Sequence, residues 1–352
     1  MSKRKVLYLK SEWIDNIGNA FIDMGAIMSL KSATYDNISI IPLSHYPFSL
    51  LSGYHQLNPL LSLSFSPSII KHLIPFLKGK NKSKIMTKKD ISKNIQYTLD
   101  IVSSVSADFI IMSGAILTET FFNITERMLN RLKNNHIKII FYGCSGDYYS
   151  DIEVKYVRKK LDEIEPYALI TRDSIAFKYY KDLAEFSYNG IDCGFFVNYY
   201  NIQETEINLP PYIVLTFDDP NNIINIEVEL ERELSQKYMI VKAIHSVDPR
   251  IALLRFSLHS NKSNILISDS PIDYLLLYSH AQAVYTDRVH ATVATLAFSN
   301  PCRLYTKSPR AKLFERVGAE DVDKKLVSID MNKLKSEQEK QIEFISEIFN
   351  KY

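Results

Sequence analysis

The chain has little cysteine, no long uncharged apolar run and almost no excess of charge, and each shortage argues against a class of protein. Three cysteines, Cys144, Cys193 and Cys302, lie far apart among its 352 residues. An odd number of cysteines without a Cys-x-x-Cys pair argues against a disulfide framework and against the common zinc and redox motifs. We expect all three to be buried small hydrophobic residues in a reducing compartment.

Apolar runs long enough to cross a membrane are also missing, because a spanning helix needs roughly 18 apolar residues. Lys10 and Glu12 interrupt the apolar start of the chain, which argues against a signal peptide. We therefore expect a cytoplasmic protein, with the inner face of the membrane as a second candidate location.

The charges nearly cancel, since 42 basic and 40 acidic residues give a net charge of +2. Such a balance predicts no nucleic-acid partner. The 8 histidines are scattered without metal-ligand spacing, and no G-x-G-x-x-G, P-loop or G-x-S-x-G motif occurs. We accordingly expect neither a metal site nor a bound cofactor.

Strand-like and helix-like patterns alternate along the chain. Apolar strands followed by helices, with loops at the carboxyl ends of the strands, are typical of mainly parallel α/β sheets. A polar stretch ending in Pro-Pro, residues 201–212, separates two such series. The sequence predicts an N-terminal α/β domain over 1–207, a second over 208–330 and an amphipathic helix over 331–352. The second series includes a strand predicted at 250–258, "RIALLRFSL".

One segment departs from this alternation. Residues 53–92 combine aromatic and aliphatic residues with a Lys-rich tail, so we treat them as a basic, apolar insertion in the first domain. The favoured interpretation is an irregular helical insertion with a solvated basic loop. The other interpretation is peripheral contact with an anionic membrane through residues 60–85.

The stretch "AVYTDRVHATVATLAFS" places two cationic side chains where a strand gives way to a helix. Ligands of open α/β sheets bind at the carboxyl ends of strands, where helix N-termini offer free N–H groups. Arg288 and His290 fall at that point, and Thr286 or Asp287 can cap the helix. Arg288 must precede the helix if both side chains are to face the cleft, because residues two apart diverge on a helix. A structural role for both, in an ion pair and a cap, is the alternative.

Two other strand ends carry weaker signals of the same kind. In "ITRDS", Arg172 follows a buried strand and Ser174 can cap the next helix, with an Arg–Asp surface pair as the alternative. In "DNIGNAF", Gly18 allows close backbone approach and Asn16 can cap a helix or bind a hydroxyl group. Asp218 follows another strand and is interpreted as a turn or cap residue, with sugar or metal binding as the alternative.

Taken together, these stretches resemble the polysaccharide pyruvyl transferase family. The turn "NIGNAF", the strand end "ITRDS" and the Arg-x-His at the start of a late, small-residue helix occur in the family's order, over roughly residues 12 to 318. The Arg-x-His element is the most specific of the three. Asn19 stands where the family commonly has Asp, and "SGA" stands where it often has Gly-Gly.

The resemblance implies a two-domain α/β fold in which Rossmann-like open sheets face a cleft, as in GT-B glycosyltransferases. It also implies transfer of the enolpyruvyl unit of phosphoenolpyruvate onto two hydroxyls of a sugar, with formation of a cyclic ketal and release of phosphate. The acceptor would be a surface polysaccharide or its lipid- or nucleotide-linked precursor.

Roles for individual residues follow from the same resemblance and from the charge of such a donor. Arginine pairs with carboxylate and phosphate groups, and histidine, which titrates near neutrality, can serve as acid or base. The expected catalytic residues are His290, Arg288 and Arg172; the expected donor-binding residues are Arg172, Arg288, Lys312 and Arg310; and the expected acceptor or cleft-lining residues are Asn16, Gly18, Asn19, Gly114 and Ser145.

Two other functions stay open at this point. The first is a GT-B-type glycosyltransferase that uses a nucleotide sugar in the same cleft. The second is a catalytically silent, glycan-binding member of the family. The residues do not indicate an oligomeric state.

Overall fold

The computed structural model of the chain describes residues 3–11, 16–35, 37–44, 101–245, 264–306 and 309–352. The predicted insertion at 53–92, with its membrane contact through 60–85, lies outside these described residues. The strand predicted at 250–258 lies outside them as well.

The first part of the chain forms a six-stranded sheet with the strand order β2-β1-β3-β4-β5-β6. Its described elements are β1 (Arg4–Lys10), α1 (Ile17–Thr34), β2 (Ile38–Ser44), β3 (Phe109–Gly114), α2 (Glu119–Asn134), β4 (Lys138–Cys144), α3 (Asp151–Ile164), β5 (Ala168–Thr171), α4 (Ser174–Tyr180) and β6 (Phe186–Asn189). All of its strand pairs are parallel.

The second part forms a five-stranded parallel sheet with the order β11-β10-β7-β8-β9. Its described elements are β7 (Tyr212–Thr216), a helical turn at Pro220–Asn222, a π-helical stretch at Ile223–Glu227, α5 (Val228–Leu234), β8 (Met239–Ile244), β9 (Asn264–Ile267), α6 (Pro271–His280), β10 (Ala283–Thr286), α7 (Val289–Ala297), β11 (Cys302–Leu304) and a 3-10 helix at Pro309–Val317. The 3-10 helices Cys193–Tyr200 and Ile202–Glu204 connect the two sheets, and α8 (Met331–Lys351) ends the chain. The predicted pair of parallel α/β domains is thereby confirmed.

Capping side chains explain where several helices begin. The hydroxyls of Thr118 and Ser150 accept N–H groups in the first turns of α2 and α3. Thr118 thereby sets the start of α2 at Glu119. The predicted cap of α4 was wrong, because the carboxylate of Asp173, and not the hydroxyl of Ser174, accepts the Ala176 N–H.

Helix α1 connects β1 and β2 of the first sheet, but it also packs against the second domain. Gly25 makes this possible, because a β-carbon at that position would lie 1.9 Å from the carbonyl oxygen of Cys193. Phe21, on the same helix, stacks edge-on against the rings of His245 and Tyr278 of the second domain. A continuous apolar core therefore joins the two sheets.

Helix α8 returns from the second domain to the first sheet. Its apolar residues Ile345, Ile348 and Phe349 are buried in the same cluster as the strand residues Tyr8 and Phe109. Gln341 of α8 accepts the N–H of Ile191 at 2.7 Å, and Gln338 donates to the carbonyl of Phe195 at 2.8 Å. The amphipathic C-terminal helix predicted from the sequence is thus part of the first domain's packing.

The three cysteines are free and buried, as predicted. Within the described residues, no helix combines the length and the apolar character needed to cross a membrane.

Candidate active site

The two sheets place their topological switch points opposite each other. In the first sheet, the chain moves from β1 to β2 on one side and then to β3 on the other, so the switch lies between β1 and β3. In the second sheet, β8 and β10 flank β7 on opposite sides, so the switch lies between β7 and β10. Ligands of open α/β sheets bind outside the carboxyl ends of strands at such points.

A pocket of about 810 Å³ lies where these strand ends meet. From the first domain it is lined by residues that follow β1, β3 and β4, and from the second by residues that follow β8, β10 and β11. The predicted site residues that line it are Asn16, Asn19, Gly114, Arg288 and His290. The N-termini of α1 and α7, neither of which has an acidic residue in its first turn, both open at this pocket.

Arg288 joins the two domains across the pocket. It is the N-cap residue of α7 and has an extended backbone, so it precedes the helix as the cleft geometry required. Its Nη1 donates to Asn16 Oδ1 at 2.8 Å, and its Nη2 pairs with the carboxylate of Asp218. Burial lowers the pKa of Arg288 to about 9, so the guanidinium stays protonated at neutral pH.

Asp287 holds the loop that follows β7. Its carboxylate accepts the backbone N–H of Asp218 at 2.9 Å and that of Asp219 at 2.8 Å. The hydroxyl of Thr286 accepts the Arg288 N–H at 2.8 Å, and α7 has no side-chain cap. The prediction that Thr286 or Asp287 caps α7 is therefore wrong. No capping side chain accepts the first N–H groups of this helix.

His290 sits at the bottom of the pocket against a buried ion pair. Arg172 is 1% exposed, and its Nη1 donates to Asp192 Oδ2 at 2.6 Å. The same Nη1 lies 3.4 Å from His290 Nε2, and Nε of Arg172 donates to Ser145 Oγ at 2.9 Å. Asp192 Oδ2 lies 3.9 Å from His290 Nε2. Burial acts to lower the pKa of Arg172, but the neighbouring Asp192 outweighs it and raises that pKa above its usual value.

Gly18 lets the first turns of α1 and α7 touch. A β-carbon at this position would lie 2.9 Å from Cβ of His290 and 3.1 Å from Oδ1 of Asn16, whose Oδ1 accepts the Gly18 N–H. Gly18 therefore does not line the pocket as predicted but sets the distance between Asn16 and His290.

Three of the remaining predicted residues, Arg172, Ser145 and Lys312, lie outside the pocket lining. Arg172 and Ser145 are buried beneath it, and Lys312 is an exposed residue whose Nζ pairs with Glu315 at 2.6 Å. Arg310 belongs to the 3-10 helix Pro309–Val317, and its side chain lies outside the described residues. Their contact with a donor stays a prediction.

The part of the pocket lining that comes from the first domain differs in character from Arg288 and His290. Phe121 and the 76% exposed Tyr148 contribute aromatic rings to it, and Glu119 and Glu153 contribute carboxylates. Glu153 Oε2 accepts the backbone N–H groups of Tyr148 and Tyr149, so it fixes the position of the Tyr148 loop. The pocket thus has a cationic wall from the second domain and an aromatic, acidic wall from the first.

A second buried carboxyl lies under the pocket on α1. Asp23 Oδ1 accepts the hydroxyl of Tyr8 and the N–H of the pocket residue Ser11, each at 2.9 Å. Its Oδ2 is buried without a hydrogen-bond partner among the described residues. Burial raises the pKa of Asp23 to about 7.

Sequence reasoning missed Asp192 and His245. Asp192 follows β6, whose half-buried sequence "FSYN" has no continuous apolar run to mark it as a strand. Its only local signal is the Asp-x-Gly spacing to Gly194, whose N–H it accepts at 2.7 Å. His245 lies after β8, where its carbonyl accepts the Ile17 N–H at 3.3 Å. In the described parts of the chain, no cluster of three or more His, Cys, Asp or Glu side chains could hold a metal ion.

A family model described as polysaccharide pyruvyl transferase matches residues 16–306. The match begins at Asn16, at the mouth of α1, and includes both Arg172 and the Arg288–His290 pair. The chain belongs to the polysaccharide pyruvyl transferase family. It is therefore a transferase, and the family resemblance inferred from the sequence is confirmed.

Solved structures with a similar fold are UDP-GlcNAc 2-epimerases, which share the GT-B arrangement with this pyruvyl transferase family member. The enzyme from Neisseria meningitidis bound to UDP-GlcNAc is 12% identical, with a TM-score of 0.54, over 97% of this chain and 94% of that one. The enzyme from Methanocaldococcus jannaschii in complex with UDP-GlcNAc and UDP is 15% identical, with a TM-score of 0.54, over 98% of each chain. The enzyme from Rickettsia bellii is 15% identical, with a TM-score of 0.56, over 99% of this chain and 97% of that one.

At these identities the likeness establishes the GT-B-like fold of this family member and nothing about its ligands. No curated protein matches the chain significantly.

Proposed function

We propose that this enzyme transfers the enolpyruvyl unit of phosphoenolpyruvate onto two hydroxyls of a sugar in a surface polysaccharide or its lipid- or nucleotide-linked precursor. The observation that carries the proposal is the convergence of Arg288, His290 and the N-termini of α1 and α7 on one interdomain pocket. The reaction would take place in the cytoplasm or at the inner face of the membrane.

The cationic wall suits a donor with several negative charges. A guanidinium binds carboxylate or phosphate by two parallel hydrogen bonds, and helix N-termini add N–H donors and a positive dipole. In the unliganded protein the Arg288 guanidinium contacts the carboxylate of Asp218 and the amide oxygen of Asn16. Oxygens of bound phosphoenolpyruvate would take the place of such acceptors. Donor binding would replace the Asp218 contact.

The chemistry balances without an external reactant. One sugar hydroxyl adds to C2 of the enol unit, and the methylene carbon C3 gains a proton to become methyl. The second hydroxyl then displaces phosphate from C2, so two C–O bonds form and the C2–O bond to phosphate breaks. Of the two hydroxyl protons, one balances the proton gained by C3 and the other leaves with the phosphate. Hydrogen-bond donors on the departing phosphate favour this step, and Arg288 and His290 are the candidates.

The aromatic, acidic wall suits the acceptor. Sugar rings present apolar C–H faces that pack on aromatic side chains such as Phe121 and Tyr148, and their hydroxyls can donate to the carboxylate of Glu119. An acceptor on this wall would face the donor across the pocket. The predicted cleft residues Asn19 and Gly114 line the same pocket.

The test compares ligands by thermal unfolding and then by turnover. Phosphoenolpyruvate, phosphate, UDP and CMP are each added to wild type, Arg288→Gln and the matched control Arg303→Gln, whose arginine lies on β11 outside the pocket lining. A ligand at a hundredfold excess over its dissociation constant stabilises the folded state by about 2.7 kcal/mol. We expect phosphoenolpyruvate to stabilise wild type and Arg303→Gln but not Arg288→Gln, and phosphate release to require an acceptor glycan.

The other functions predict different results. Stabilisation by UDP or CMP alone would favour glycosyl transfer, a possibility kept open because epimerases of similar fold have been solved with UDP-GlcNAc and UDP bound. Glycan binding without release of phosphate or nucleotide would indicate a silent binding member. Phosphoenolpyruvate turnover by Arg288→Gln at the wild-type rate would contradict the proposal.

A further inference from the structure

We propose that Arg172 is a positioning residue that fixes the tautomer of His290, so that His290 is neutral and donates through Nδ1–H. This inference deepens the proposed function and rests on it only for the consequence in catalysis. The tautomer itself is a property of the unliganded protein.

The contacts of Arg172 point away from a direct role in ligand binding. Its Nε donates to Ser145 and its Nη1 to Asp192, whose carboxylate is fully buried. Neither Arg172 nor Asp192 lines the pocket, whereas His290 does. Arg172 can therefore influence a bound ligand most directly through His290.

Hydrogen-bond chemistry decides which nitrogen of His290 carries the proton. A guanidinium has only donors, so Nη1 of Arg172, 3.4 Å from His290 Nε2, can be satisfied there only by a lone pair on Nε2. Nη1 has two hydrogens, one for Asp192 Oδ2 and one for Nε2. The carboxylate oxygen itself is 3.9 Å from Nε2, beyond hydrogen-bond distance. The proton of the neutral ring then resides on Nδ1.

Among the described residues, the charged group nearest to His290 Nε2 favours the same state. From the first domain, Arg172 is closer to Nε2 than the Asp192 carboxylate that neutralises it. From its own element, Arg288 at the start of α7 is a cation that pairs with the Asp218 carboxylate, and Asp287 also lines the pocket. The helix α1 contributes Gly18, which has no charge and contacts Cβ of His290. A proton on His290 Nε2 would therefore face the N–H of Arg172 Nη1, which cannot accept a hydrogen bond.

This arrangement narrows the chemistry open to His290. The lone pair of His290 Nε2 accepts a hydrogen bond from Arg172 on the buried side of the ring. His290 is therefore not the base that removes a proton from a sugar hydroxyl. The ring instead offers Nδ1–H as a hydrogen-bond donor to an oxygen of the anionic donor, such as the departing phosphate. Such donors are most effective where negative charge develops.

Ring ¹⁵N spectra of the full-length protein without ligand test the tautomer directly. The His290 signals are those lost in His290→Gln. We expect wild type to show protonated Nδ1 and unprotonated Nε2 at neutral pH. A protonated Nε2 in wild type would overturn the proposal. This measurement on the wild-type protein requires no variant of Arg172.

Substitutions then test which residue sets the tautomer. In Arg172→Met the nearest charged group behind Nε2 is Asp192, so we expect Nε2 to become protonated. Asp192→Asn keeps the guanidinium and should keep the wild-type tautomer, as should the control Arg303→Met. A changed tautomer in Asp192→Asn, or an unchanged one in folded Arg172→Met, would refute the role of Arg172.

A separate readout distinguishes this inference from the proposed function. Arg172→Met should retain stabilisation by phosphoenolpyruvate, while phosphate release falls about 100-fold, as when one transition-state donor is lost. Loss of that stabilisation would mean that Arg172 binds the donor directly, and would overturn the positioning role. If phosphoenolpyruvate does not stabilise even wild type, the proposed function fails while the tautomer measurement stands.

Discussion

Replacing Gly18 by alanine tests the close approach of α1 and α7 at the pocket. The added β-carbon would lie 2.9 Å from Cβ of His290, whereas two carbons pack at about 3.5–4.0 Å. Neither atom is the end of a flexible side chain, so the two helix starts must separate by roughly 0.6–1.1 Å. The hydrogen bond from Arg288 to Asn16, now 2.8 Å, would then approach or exceed its limit of about 3.5 Å.

Two opposing terms set the stability change of Gly18→Ala. Overpacking costs about 1–3 kcal/mol, and the higher helix propensity of alanine recovers about 1 kcal/mol. We therefore expect a loss of about 0–2 kcal/mol in the free energy of unfolding, measured by chemical denaturation. For donor binding, loss of the Arg288–Asn16 geometry should weaken phosphoenolpyruvate affinity about tenfold, equivalent to about 1.4 kcal/mol, measured by calorimetry.

The matched control is Gly318→Ala, at a position of positive φ (77°) that packs against Lys333, away from the pocket. It should lose stability through backbone strain while leaving donor affinity unchanged. Wild-type affinity in Gly18→Ala would refute the idea that helix spacing positions Arg288. Equal loss of affinity in both variants would assign the effect to general destabilisation.

Three further predictions concern charged side chains. Asp218→Asn removes the carboxylate that occupies Arg288, so phosphoenolpyruvate should bind about fivefold more tightly by calorimetry, and weaker binding would contradict that competition. Lys312→Ala breaks an exposed pair with Glu315, so the free energy of unfolding should change by about 0–1 kcal/mol; if Lys312 binds the donor as predicted, phosphoenolpyruvate affinity should fall in calorimetry, and an unchanged affinity would contradict that role. The folded pKa of Asp23, about 7, lies above its ordinary 3.8, so its contribution to stability is full below about pH 4 and is lost as pH rises to 7. Asp23→Asn should therefore raise the melting temperature at pH 8 and flatten its dependence between pH 4 and 7, and an unchanged pH profile would argue against a protonated Asp23.

Much of the architecture follows from local patterns in the sequence. Continuous apolar runs such as Phe109–Met112 and Ala168–Thr171 marked buried parallel strands, and the polar Pro-Pro stretch marked the change from one sheet to the next. The position of Arg288 before α7 was also predictable, because a strand and a small-residue helix flank it. The short half-buried strand β6 has no such pattern and was missed.

The environment of each site residue depended on contacts that the sequence does not display. Arg172 was expected to point into the cleft because it follows a strand, but its charge is matched by Asp192, 20 positions away on the next strand's loop. Asp218 reaches Arg288 because β7 and β10 are neighbours in the sheet, and strand order is a property of the whole domain. Local reasoning could find the cations but not their counter-ions.

The return of α8 to the first sheet has a consequence for the order in which the protein folds during synthesis. The face of that sheet that contains Tyr8 and Phe109 is completed by Ile345, Ile348 and Phe349, from a helix that follows the whole second domain in the chain. The first domain therefore emerges early but keeps an uncovered apolar face until the second domain has been made. Domains usually fold as units from the N-terminus during translation, and exposed apolar surface promotes aggregation. In this chain the core of the first domain is therefore closed only after the second domain and α8 have been synthesised.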